Sequence, residues 1–333
     1  DLGVDGFRID LAGQVDKQTL SRVRAELPPD VIIYGEPWIP PSDPDVRANP
    51  DWSWSKSDAP ITFFQDDARN ALQGSPFDVA ERGWAGGDPA ARGSAVQAIC
   101  NGYPEEPTST RGISYLDIHD NWALADRFAR NDERNGLDGV DVAAVRRAAG
   151  LLLTSAGPLV IHGGTEMLRS KGLAPREETV RPAGSGEIHF RGRSDTYNLR
   201  APNRFLWDAL TPEAGSTAMR DWWRGLIELR ASPFGKGFRV DAVPEGHYRF
   251  FLPEDSRLMA YEVGSEVLVV ANNGPEDSQI DVELSPGTWR KVADGGCVDL
   301  GGIEGDDSRL APGVARVAAP AGAVRIWVRE DAR

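Results

Sequence analysis

Three acidic residues each close or follow an apolar run: Gly6-Phe7-Arg8-Ile9-Asp10, Tyr34-Gly35-Glu36-Pro37-Trp38 and Ile118-His119-Asp120-Asn121. A pair of carboxylates on separate elements can share one displacement, one acid acting as nucleophile and the other as proton donor. At a glycosidic carbon, retention of configuration needs them about 5 to 5.5 Å apart. A third carboxylate can stabilise the positive charge that develops between them.

Arg8 and Asp10 lie two residues apart on an extended run and therefore share a direction. The arginine favours the ionised form of Asp10 and helps to orient it; a purely structural ion pair at a strand end has the same signature. Gly35 allows close approach beside Glu36, and Trp38 can stack on a sugar ring or keep solvent from a protonated acid. A turn-capping acid reads the same way in isolation. His119, Asp120 and Asn121 put a donor, a carboxylate and an amide within three residues, a set that can grip vicinal hydroxyls or form a structural hydrogen bond.

A metal centre is the main competing chemistry, with His119, His162, Asp10 and Asp120 as conceivable ligands. No HExxH element, Cys pair or EF-hand loop is present, so neither a catalytic metal nor a structural calcium has a motif behind it. No cofactor is expected. A Gly-x-Ser-x-Gly elbow is absent, and Gly163-Gly164 continues into Thr165-Glu166 without the lysine of a phosphate-binding loop. Glu166 is expected to anchor its own loop, against Arg169.

The elements that must position these acids follow from periodicity. Val4 to Asp10 and Val31 to Tyr34 read as strands around a helix capped by Asp16, with Leu20, Val23 and Leu27 on one face. A strand, helix, strand order at this spacing predicts a parallel α/β unit, placing the first two acids at the same end of neighbouring strands. Ile61 to Phe64, Ile113 to Ile118 and Pro158 to His162 are expected as three further strands. Helices are expected near Asp67 to Leu72, over Val142 to Leu153 and over Met219 to Arg230, and residues 37–58 as a long loop over the site. After Pro233 the pattern changes to short runs at Phe238 to Val240, Tyr248 to Leu252, Leu258 to Val263, Val267 to Ala271, Ser278 to Leu284 and Val324 to Val328. That is an all-β signature.

With 333 residues, 40% hydrophobic and 26% charged, the chain is expected to be globular, with one large and one small domain. Its net charge of −14 argues against a nucleic-acid surface, and no apolar run is long enough to span a bilayer. Most of the ten tryptophans are expected in the core or a domain interface. Cys100 and Cys297 are too few for a disulfide framework.

Taken together, these elements resemble the alpha-amylase superfamily of glycoside hydrolases, and most of all its starch-debranching, pullulanase-type members. Gly6 to Leu11, Tyr34 to Trp38 and Ser114 to Asn121 carry the resemblance, with Phe64 to Ala71, Ile161 to Lys171 and Ser194 to Asn198 in support. The resemblance implies a partial (β/α)8 TIM barrel, strands four to eight, over residues 1–234, followed by an antiparallel β-sandwich over 235–333. It implies Asp10 as nucleophile, Glu36 as general acid/base and Asp120 as transition-state stabiliser. Arg8, Trp38, His119, Asn121, Tyr197 and Asn198 would contact the substrate. The implied reaction is retaining cleavage of α-1,6 linkages in pullulan or a branched α-glucan. The alternatives are an α-1,4-acting amylase, neopullulanase or transglycosylase relative, or a non-catalytic carbohydrate-binding fragment. Strands one to three of the barrel have no counterpart here, so the chain is expected to be part of a longer enzyme, with its N-terminal part as a partner and its localisation open. Alone, it is expected to hydrolyse little and to associate through an exposed sheet edge.

Overall fold

The computed structural model describes residues 3–38, 59–102, 112–174, 190–193, 199–211 and 215–330. Four parallel strands, β1 (Gly6–Ile9), β2 (Ile32–Gly35), β3 (Thr62–Phe64) and β4 (Gly112–Ile113), pair in sequence order. The register sets Arg8 opposite Tyr34 and Ile9 opposite Gly35, so Asp10 and Glu36 leave the same end of adjacent strands. This is the partial barrel followed by antiparallel sheets that the sequence predicts. The fifth strand is shorter than expected, reduced to a parallel bridge between Ser114 and Leu159. Pro158 supplies no amide hydrogen, and Gly163-Gly164 turns the chain away soon afterwards.

The helices around this sheet form for local reasons. Asp16 caps α1 (Lys17–Glu26), accepting from the Thr19 amide at 2.8 Å and from its hydroxyl at 2.7 Å. Leu20, Val23 and Leu27 on its apolar side join Ile33, Ile61 and Phe63 under the first strands. Beyond β3 come α2 (Asp66–Gln73), α3 (Arg92–Ile99), α4 (Leu124–Arg127) and α5 (Val142–Leu153), then α6 (Arg200–Asn203) and α7 (Ser216–Ala231). Helix α3 is not among the helices that the sequence predicts. Its apolar residues are mostly small, and a helix of Ala, Gly and Ser carries little hydrophobic periodicity.

The C-terminal strands are β5 (Tyr248–Phe251), β6 (Leu258–Val263), β7 (Val267–Asn272), β8 (Ser278–Leu284), β9 (Trp289–Asp294), β10 (Cys297–Val298), β11 (Arg309–Leu310), β12 (Gly313–Ala319) and β13 (Val324–Arg329). A larger antiparallel sheet runs β10-β9-β13-β7-β6-β5, with β11 also on β9, and β12 pairs with β8 as a separate ribbon. Phe234–Phe238 forms a 3₁₀ turn rather than the start of a strand over 238–240. Its two glycines and Pro233 favour that tighter path.

The larger sheet is buried on both faces. Leu258, Ala260, Leu268 and Val270 face Ile280, Val282 and Val317 of the ribbon, with Trp289 and Trp327 completing that core. Their neighbours Met259, Tyr261, Val263, Val269 and Ala271 face the other way, onto Val145, Leu152, Trp222 and Leu226 of α5 and α7. Double burial explains why β6 and β7 read as continuous apolar runs. One core therefore continues from the α/β part into the β part. Polar ties cross it too: Arg147 on α5 donates to the carbonyl oxygens of Ala85, at 2.9 Å, and Gly322, at 2.9 Å.

Candidate active site

At the C-terminal ends of β1 and β2 a single guanidinium joins two carboxylates. Arg8 meets Asp10 at 2.8 Å and also pairs with Oε1 of Glu36. The acids differ sharply in environment, with 67% of the Asp10 side chain exposed against 3% for Glu36. The other Glu36 oxygen accepts the Leu11 amide at 2.7 Å. Burial raises the Glu36 pKa above the usual carboxylate value, and the Asp10 charge adds to the rise; the Leu11 amide and Arg8 oppose it without cancelling it.

Backbone geometry builds this pair. Leu11 takes a left-handed conformation at φ 44°, which turns the chain out of β1. The Gly13 amide then donates to the Glu36 carbonyl at 2.8 Å, and the Ala12 side chain packs against Gly35 so closely that a Cβ there would collide with it. Glycine at position 35 is therefore a packing requirement.

Trp38 follows Glu36 and lies parallel to Phe64, with ring planes 5° apart and centroids at 6.1 Å. Its indole N–H donates to Asp66 at 3.2 Å. Asp66 also accepts from the Tyr115 hydroxyl at 2.6 Å and from Arg69 at 3.1 Å, while Arg69 bonds the Tyr115 oxygen. Sequence reasoning passed over Asp66, Arg69 and Tyr115 as parts of a helix and a strand. The available signal was Gln65-Asp66-Asp67, a further acidic element directly after a strand.

Trp38 shares a narrow cleft with Asp120, Asn121, Asp117, Trp122 and Tyr115. The structure thus brings the ends of β2 and β3 against the segment after β4. Asp120 lies beside His119, with 3.6 Å between Nε2 and the carboxylate, and His119 is largely exposed. Asn121 is left-handed at φ 53°. Tyr197 and Asn198 lie outside the described residues, as do residues 39–58 of the loop expected over 37–58.

His162 approaches this group only through the buried Asp117. Its Nδ1 is 3.7 Å from Asp117, and Nε2 lies 3.0 Å from an Arg169 nitrogen. Since Arg169 can only donate, Nε2 accepts and Nδ1 carries the proton. Glu166 accepts the Gly164 amide at 2.8 Å, whereas Arg169 donates to His162, Gly163 and the Asn203 carbonyl rather than to Glu166. The loop is anchored, then, by separate contacts of Glu166 and Arg169 and not by the expected pair between them. Among the described residues no three His, Cys, Asp or Glu side chains are grouped to hold a metal, and no described helix is long and apolar enough to cross a membrane.

Comparison with known proteins bears on this geometry. Residues 250–330 match the family described as "Alpha amylase, C-terminal all-beta domain". The pullulanase of Bacillus subtilis (strain 168) is 29% identical over an alignment of 195 residues that covers 50% of this chain and 24% of the relative. The structure of pullulanase from Bacillus acidopullulyticus superposes with a TM-score of 0.72 at 23% identity, covering 98% of this chain and 38% of that one. Pullulanase from Anoxybacillus sp. LM18-11 complexed with maltotetraose gives 0.69 at 23% identity, covering 98% and 44%. The two structural likenesses show a shared fold. The chain spans less than half the length of each of these pullulanases. The family match and the relatives together support a pullulanase-like glycoside hydrolase superfamily assignment.

Proposed function

With that superfamily assignment as premise, we propose that the polypeptide carrying this chain hydrolyses α-1,6-glucosidic linkages in pullulan or a related branched α-glucan, with retention of configuration. The observation that carries the reading is the Arg8-bridged pair at the ends of adjacent parallel strands, one acid exposed and the other buried with a raised pKa. Such divergence between neighbouring carboxyls suits opposite roles. Residues 1–234 would form the catalytic part and 235–333 the β-sandwich packed beneath it.

In the first step Glu36 gives its proton to the leaving glycosidic oxygen while Asp10 attacks the anomeric carbon. The carbon–oxygen bond breaks and a glycosyl ester forms on Asp10. In the second step the Glu36 carboxylate takes a proton from water, the water oxygen attacks the same carbon, and Asp10 is released. Asp120 would stabilise the oxocarbenium-like charge in both steps. Arg8 and the Leu11 amide each hold one Glu36 oxygen, which orients the carboxyl and leaves a further site on each oxygen for the proton passed to the leaving group. Trp38, His119, Asn121, Tyr197 and Asn198 would contact the glucan.

The test is Glu36→Gln in the natural polypeptide that contains these residues, assayed on pullulan. Loss of a positioned proton transfer lowers kcat by about 10²- to 10⁴-fold; unchanged turnover rejects the role. Maltotriose as product supports α-1,6 cleavage. The match of residues 250–330 to an alpha-amylase domain favours a second reading, α-1,4 cleavage by the same acids, for which panose is the diagnostic product.

A further inference from the structure

Lys171 is fully buried. Its ammonium donates to the main-chain carbonyls of His119, at 2.6 Å, and Asn121, at 2.7 Å. These two carbonyls bracket Asp120. Desolvating an ammonium costs several kcal/mol unless it is well compensated, so a lysine placed here is paid for by what it holds. Its hold falls on a segment with a local conformational cost, since Asn121 is left-handed.

The lysine is held in turn. Asp126 on α4 is completely buried, and its carboxylate accepts the Lys171 amide at 2.6 Å, the Gly136 amide at 2.7 Å and the Ser170 hydroxyl. Upstream, the Thr165 hydroxyl lies 2.8 Å from each oxygen of Asp117, which also accepts the Leu124 amide at 3.0 Å. The segment from 117 to 126 is therefore pinned at both ends to the loop 165–171, and Lys171 grips its middle.

We propose that Lys171 is a positioning residue for Asp120, fixing its carboxylate through the carbonyls on either side of it. The proposal rests on the role given to Asp120 above. The ammonium touches no reacting atom and needs no proton transfer. Its action is to deny the 119–121 backbone the alternative conformations in which Asp120 leaves the cleft.

The experiment uses Lys171→Met, Lys171→Arg, Asp120→Asn and Glu36→Gln in the natural polypeptide, with pullulan and α-maltotriosyl fluoride as substrates. Fluoride departs without protonation, so Glu36→Gln keeps its first-turnover fluoride release, whereas Asp120→Asn loses it. Lys171→Met is expected to follow Asp120→Asn: kcat on pullulan and first-turnover fluoride release both fall by about 10²-fold, the scale of a small misplacement, with KM unchanged. Hydrogen exchange of the 118–122 backbone rises in Lys171→Met and not in Asp120→Asn. Wild-type rates on both substrates, unchanged exchange at 118–122, or a profile like that of Glu36→Gln would each overturn the proposal. If Lys171→Met does not fold, Lys171→Arg decides, because the bulkier guanidinium must displace the same two carbonyls; wild-type kcat and exchange in that variant overturn it equally. A wild-type polypeptide that cleaves neither substrate overturns the assigned reaction, while exchange at 118–122 still decides whether Lys171 holds the segment.

Discussion

Leu11, held left-handed at the end of the first strand, turns its amide onto the buried carboxylate of Glu36 at 2.7 Å. A residue next to one proposed catalytic acid thereby orients the other. The same Glu36 carboxylate meets Arg8, so its protonation is set by a balance: burial and the Asp10 charge raise its pKa, and the amide and the guanidinium lower it.

Replacing Arg8 with Met removes one side of that balance. The Glu36 pKa then rises further, and the alkaline limb of the kcat/KM profile on pullulan, which reports loss of the acid's proton, moves to higher pH. The maximum rate falls as well, because Asp10 loses its orienting partner. Profiles of the wild type and the variant that coincide on the alkaline side would refute the coupling.

Glu36 also links folding to pH. Its folded pKa lies above the ordinary value of 4.5, so the proton is bound more tightly in the folded chain. The resulting stability is fully present below pH 4.5 and is lost as pH rises through the folded pKa. Urea titrations of wild type and Glu36→Gln at a series of pH values are expected to show wild type losing stability relative to the variant across that window; a pH-independent difference contradicts it.

Arg147 ties α5 to the carbonyls of Ala85 and Gly322, and burial pushes its pKa down to about 10, which leaves it charged at neutral pH. Arg147→Met leaves two carbonyl oxygens without this donor, at about 1–3 kcal/mol for each buried group. Calorimetry should show a lower melting temperature. An unchanged one would mean that other donors replace the guanidinium.

Gly225 on α7 faces Val298 of β10 so closely that a Cβ would overlap the valine side chain. Gly225→Ala is expected to destabilise the chain by about 1–3 kcal/mol through overpacking, despite the better helix propensity of alanine. Gly225→Ala with Val298→Gly, which removes the Cβ that the new methyl would meet, should recover part of the loss, which denaturant unfolding can measure.

Among the described residues strand β1 pairs on one side only, and Val4, Phe7 and Ile32 near that edge are exposed. Such an edge is a template for association. The 333-residue chain expressed alone is expected to sediment as concentration-dependent species, and Phe7→Glu with Ile32→Glu to shift it toward monomer. A monomer at all concentrations counters the prediction.

Much of the architecture was legible in local pattern. The Asp16 cap, the apolar stripe of α1, the full extent of α5 and the span of β6 follow from spacing, since each element's own residues decide its conformation. Strands β9 to β12 were not legible: two are only two residues long, and the others mix charged residues with apolar ones because one side of each meets solvent or buried polar partners. Lys291, for example, is buried in β9 and donates to the Asp306 carbonyl at 2.8 Å, a contact that only the folded sheet provides.

What the sequence by itself determined is the identity and order of the three acids and the placement of Asp10 and Glu36 at strand ends, because a short apolar run ending in a carboxylate states its local geometry; the strand expected over 113–118 before Asp120 stops at Ile113. Tertiary structure decided how those acids differ. Asp10 and Glu36 have nearly the same intrinsic acidity, and only packing exposes the first while enclosing the second between Arg8 and Leu11. It also decided the company of Asp120, since Lys171 stands 51 residues from it in the chain and reaches its flanking carbonyls only through the path of the folded backbone. Burial and long-range hydrogen bonds depend on where distant segments meet, and local sequence does not encode that meeting.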